Sequence, residues 1–126
     1  MSTYFNLAAP AGRTLLGSIF LLSGLTKIGA YEATQGYMNA MGVPGELLPA
    51  VIAFEILTPI ALIVGFYARS AAFLLAGFSI VTALIFHFDF ADQIQTVLFL
   101  KNISIAGGLL FLTAMGPGAF SVDARR

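Results

Sequence analysis

The run from Leu47 to Phe66 is almost wholly apolar and holds one ionisable side chain, Glu55. A helix rising 1.5 Å per residue over about 20 residues crosses the hydrocarbon of a bilayer. Glu55 would then lie about 12 Å in from the nearer helix end, out of reach of bulk water. Ionisable groups at such depth are costly, and they turn toward a partner or a cavity rather than toward lipid. Any fold this chain adopts must supply that carboxylate with an offsetting charge or ligand.

Three further runs are built the same way. Thr14–Thr26 lies between Arg13 and Lys27, and neither Ser70–Phe86 nor Ile103–Val122 carries a charge. With the polar residues at their ends included, they predict four transmembrane helices at about 11–29, 46–66, 69–87 and 96–115. A chain that is 59% hydrophobic and 10% charged could not cover a water-facing surface. The expected fold class is therefore all-α: a polytopic membrane protein, an antiparallel four-transmembrane-helix bundle, with residues 1–126 forming one membrane domain. The first span does not read as a cleaved leader, because Lys27 and Gly29-Ala30-Tyr31-Glu32 follow it without a small-residue cleavage pattern. The absence of cysteine excludes disulfides. One His and scattered carboxylates argue against a metal site, and zero net charge without a basic stripe argues against nucleic acid.

Lys and Arg near the span ends set the expected orientation. Arg13, Arg69, Arg125 and Arg126 fall on the side of the termini and the second loop; Lys27 and Lys101 fall on the other. That balance favours both termini in the cytoplasm, with Arg13 and Arg69 as topology anchors. The second loop, "GFYARS", makes spans two and three antiparallel neighbours. The first, "YEATQGYMNAMGVPGE", has room for a short interfacial helix ended by Gly42, with Pro44 opening the next element. Tyr31, Tyr37, Phe86, Phe88 and Phe90 would form an aromatic collar at that interface.

Helical spacing then sorts the polar residues. Arg13, Gly17, Gly24 and Lys27 share a face of span one, and its two glycines would admit a neighbouring helix. Arg69, Ala72, Ala76, Ala83 and His87 follow one stripe of span three. Lys101, Ser104 and Gly108 share a face of span four, with Asn102 adjacent. Pro59, one turn past Glu55, has no N–H to give the Glu55 carbonyl; the result is either a packing kink or a widened pocket. Depth and direction together allow Lys27, Glu55, His87, Lys101 and Asn102 to converge in the outer half of the bundle. One Glu cannot balance two lysines, so the cluster would be net positive. Glu55 reads either as a structural ion pair with Lys27 or Lys101, or as a ligand or proton site in which Glu55 and His87 are the candidates for proton transfer.

Several stretches together, "GRTLLGSIFLLSGLTKI", "GVP", "FEI", "GFYARSAA", "FH", "KNISIAGGLLFL" and "GPGAFSVDAR", resemble the DoxX family of small bacterial membrane proteins. The resemblance implies a bacterial inner-membrane protein and suggests quinone-linked redox work, with a quinone as the ligand rather than a haem or flavin, for which no motif is present. On that reading the chain is a membrane subunit of a redox system. Its partners would be the lipid bilayer, a membrane or soluble redox protein, and a second copy of itself. Two alternatives stay open: a non-catalytic anchor or assembly subunit, and a small transporter driven through Glu55.

Overall fold

The computed structural model describes residues 3–125 and contains no strand among them. Five α-helices follow one another: α1 Thr3–Gly29, α2 Tyr31–Ala40, α3 Leu48–Val64, α4 Ala68–Phe86 and α5 Gln93–Met115, with 3₁₀ turns at Gly45–Leu47 and Asp123–Arg125. Four segments are long and apolar enough to cross a membrane: Asn6–Gly29, Gly45–Val64, Ala68–Phe86 and Gln93–Met115. The all-α, four-span expectation holds, with shifted edges. α1 begins well before residue 11, because Pro10 sits inside the helix and not at its start. Proline there removes only one bond near a helix end, which a long helix tolerates. α5 begins at Gln93 because the Asp92 carboxylate accepts from the Ile94 and Gln95 amides and caps it. Arg126, counted in the charge argument, lies outside the described residues.

α1 packs along α3 and α4 packs along α5, while α3 and α4 meet less closely and α1 touches α5 sparingly. Lipid is as apolar as leucine, so close approach of small residues and polar bonds has to hold such a bundle together. Gly17 and Gly24 supply it on α1. A Cβ at Gly17 would lie 2.7 Å from Ile63 Cγ1, and one at Gly24 would lie 3.0 Å from Ile56 and 3.1 Å from Glu55. On α4 the buried face is Ala68, Ala71, Ala72, Leu75, Ala76, Ser79 and Ala83. Ala106 and Leu109 of α5, Phe20 of α1 and Leu62 of α3 complete the core around it. Leu15, Leu57, Phe73 and Phe111 point outward, as lipid-facing residues should.

The C-terminal segment closes one end of the bundle. Val122 and Asp123 donate their amides to the carbonyls of Val64 and Gly65 at 3.1 and 2.9 Å. The Asp123 carboxylate then accepts from the Tyr67 and Ala68 amides, at 2.8 Å each, and so caps α4. Gly65 has φ +81°, and a Cβ there would run into the Ser121 side chain, so both backbone conformation and space require glycine. Arg13 corrects the sequence reading. A topology anchor should reach toward the interface, but Arg13 is 1% exposed. Its guanidinium donates to the carbonyls of Ile63 at 2.8 Å and Phe120 at 2.5 Å, fastening α1 to α3 and to the tail. Arg69, in contrast, is exposed at this end, with its guanidinium over Gly116.

Candidate functional site

The opposite end of α1 is built differently. Gly24 lets α1 come so close to α3 that Lys27, one turn later, reaches Glu55: Lys27 Nζ lies 2.6 Å from Glu55 Oε1. The ammonium also donates to Ser23 Oγ at 2.6 Å. Glu55 is 1% exposed, and its buried Oε1 takes no well-directed hydrogen bond, so Lys27 serves it chiefly as a counter-charge. The Lys27 side chain keeps 26% exposure, which leaves it a side free for something else.

That free side borders a cavity of about 620 Å³ between α1 and the α4–α5 pair. Lys27, Glu55, His87, Lys101 and Asn102 all line it, against an apolar wall that includes Phe20, Val51, Phe78 and Ile105. A large, mainly apolar cavity with a few convergent polar groups is the usual form of a small-molecule site. His87 closes α4, and its Nδ1 lies 2.8 Å from Gln95 Oε1. An amide oxygen only accepts, so that contact assigns the Nδ1 proton to the histidine and leaves Nε2 as the second ring nitrogen. Asn102 donates its amide to Thr82 Oγ1 at 3.2 Å and to the Ser79 carbonyl at 3.4 Å, tying α5 to α4.

The five residues share a cavity but do not form one contact cluster. Only Lys27 touches Glu55; His87 pairs with Gln95, and Lys101 has no ion pair or hydrogen bond among the described residues. Lys101 and Ser104 are exposed, although the convergence expected from the sequence requires their shared face to turn into the bundle. The reason is the sparse α1–α5 contact: the face of α5 that carries them looks across a gap. With Lys27 and Glu55 offsetting each other, the surplus positive charge resides on Lys101.

Helix α2 covers the cavity at the loop end. Tyr37 stacks on Phe86 with ring centroids 5.3 Å apart, its hydroxyl 3.4 Å from the Phe86 carbonyl, and Met38 is buried beneath. The expected aromatic collar is therefore two clusters: this pair, and Phe88, Phe90 and Phe99, whose rings meet edge to face. The sequence reading missed Gln95 and Thr82 as partners of the site. Gln95 follows His87 by eight residues across a capped turn, a local signal that only the Asp92 cap makes usable.

A family model described as DoxX matches residues 8–88. The chain belongs to the DoxX family. It is 45% identical over 111 residues to inner membrane protein YqjF of Escherichia coli strain K12, an alignment covering 88% of this chain and 85% of that protein. It is 36% identical over 114 residues to inner membrane protein YphA of the same organism, covering 85% and 81%. No solved structure matches it. This DoxX protein is thus a multi-pass inner-membrane protein embedded in the bilayer.

Proposed function

We propose that this DoxX protein is a membrane subunit of a quinone-linked redox system and that its cavity binds the quinone head. The observation that carries the reading is the make-up of the cavity: an apolar chamber of about 620 Å³ whose polar groups include Lys101, a cation without a partner among the described residues, and an already neutralised pair, Lys27–Glu55. A quinone ring presents two carbonyl oxygens and gains negative charge as it is reduced. Fixed cationic donors that face developing charge in a dry site stabilise it strongly. Lys101 and the free side of Lys27 would donate to one oxygen; Asn102 and His87 border the same chamber. The quinone supplies the redox chemistry when bound. The chain's own part is to hold the ring, exclude water with α2, and pass protons through Glu55 or His87.

Orientation belongs to the same proposal. The exposed Arg69 and Arg125 at the tail-covered end support cytoplasmic termini. Buried Arg13 no longer counts toward that rule. The cavity would then lie in the periplasmic half. Lys27 already occupies Glu55, which weighs against a transporter that needs a free carboxylate.

The test is direct. Purified in nanodiscs, the wild-type protein should gain thermal stability when a decyl-tailed quinone is added, and gently extracted preparations should carry quinone. No protection and no co-purified quinone would sink the reading.

A further inference from the structure

The cavity has a roof and a floor but lacks a complete side wall. Helix α2 lies over the loop end, with Tyr37 stacked on Phe86. At the floor, a Cβ on Gly108 of α5 would sit 3.5 Å from the side chain of Leu16 on α1. The two helices run antiparallel, so the pairing that sets Leu16 against Gly108 sets Ser23 against Lys101, two turns along each helix. There the helices no longer meet: Lys101 is exposed, and on α1 both Ile19 and Leu22 line the cavity while remaining 37% and 65% exposed. The cavity therefore continues into the lipid-facing surface between α1 and α5, with a lysine on each side of the opening.

We infer that the ligand reaches this site sideways from the bilayer through the α1–α5 seam, so that its polar ring lies between Lys27 and Lys101 while an apolar tail stays in the seam against Ile19 and Leu22. This rests on the reading of the cavity as a quinone site. It adds that the ligand is lipid-tailed and that the route runs through the membrane and not past α2. The charges fit the path: a free ammonium at the mouth of an apolar slot attracts a carbonyl-bearing or anionic head but offers a neutral hydrocarbon no advantage.

The chain has no tryptophan, which makes a single introduced indole a clean reporter. Leu22→Trp places it in the seam. Leu84→Trp places it on an exposed position of α4 that does not line the cavity. In nanodiscs, a decyl-tailed quinone, an efficient indole quencher, should quench Leu22→Trp saturably and at roughly tenfold lower concentration than Leu84→Trp. The preference should vanish when Lys101→Met is added. Equal, unsaturable quenching at both positions, with thermal protection of the wild-type protein retained, would overturn the seam route and leave the site reading standing. Equal quenching without protection would overturn both.

Discussion

Helix α1 carries two cations, Arg13 toward the tail-covered end of the bundle and Lys27 in its last turn, and the two ends of the bundle use them in opposite ways. Arg13 is buried and spent on structure: its nitrogens hold the carbonyls of Ile63 and Phe120, and the C-terminal segment is folded over it. Lys27 is only partly covered; it neutralises Glu55 and still borders a cavity. The same device brings both into place, a glycine one turn or so away that lets α3 come close, Gly17 at one end and Gly24 at the other. What differs is what lies next to the close approach. At the Arg13 end the tail fills the space; at the Lys27 end α2 covers the cavity from the loop side but no described side chain fills it. A closed end sets the register of the bundle, which allows the other end to hold an open chamber without collapsing.

Arg13→Ala should do the most damage. It takes charge-assisted donors away from the Ile63 and Phe120 carbonyls and leaves a void where the buried guanidinium lay, a loss of about 4 kcal/mol. Unfolding in detergent by a helix-sensitive probe should show it, and the tail should become protease-sensitive. If the variant keeps wild-type stability, the closed end is not what sets the bundle.

Lys27→Met comes next, at about 3 kcal/mol, because it leaves Glu55 buried without a counter-charge. Adding Glu55→Gln should restore much of that stability but not quinone protection. A double variant as unstable as the single one would mean that Lys27 holds the helices by something other than its charge. Asp123→Asn keeps the side chain's shape but weakens the cap on α4, at about 1 kcal/mol. It should loosen the tail in hydrogen exchange and leave the cavity end untouched. Altered quinone protection in that variant would show that the two ends are coupled.

Much of this contrast was legible in the residues themselves. Apolar runs of spanning length located all four membrane helices, and helical spacing placed Gly17 and Gly24 on the face that admits α3. The depth of Glu55 demands a counter-charge, and Lys27 is one of the two lysines that helical spacing offers for it. The structural role of Arg13 is not legible in the sequence because its partners are backbone carbonyls, one of them in a tail with no hydrophobic period to mark where it folds. The exposure of Lys101 is not legible either, because a helical face says which residues go together but not whether a neighbour stands opposite. The missing neighbour is a tertiary fact, the sparse contact between α1 and α5. His87 took Gln95 instead of joining Glu55 because a capped turn brought a closer acceptor.

Lys101→Met gives the most direct test of whether the open end is a ligand site. The side chain bonds to nothing among the described residues, so its removal should leave stability without ligand unchanged. The affinity for a decyl-tailed quinone in nanodiscs, measured by thermal protection across a concentration series, should fall about tenfold, the scale of one lost charged hydrogen bond. Unchanged affinity in a fully stable Lys101→Met protein would contradict the account.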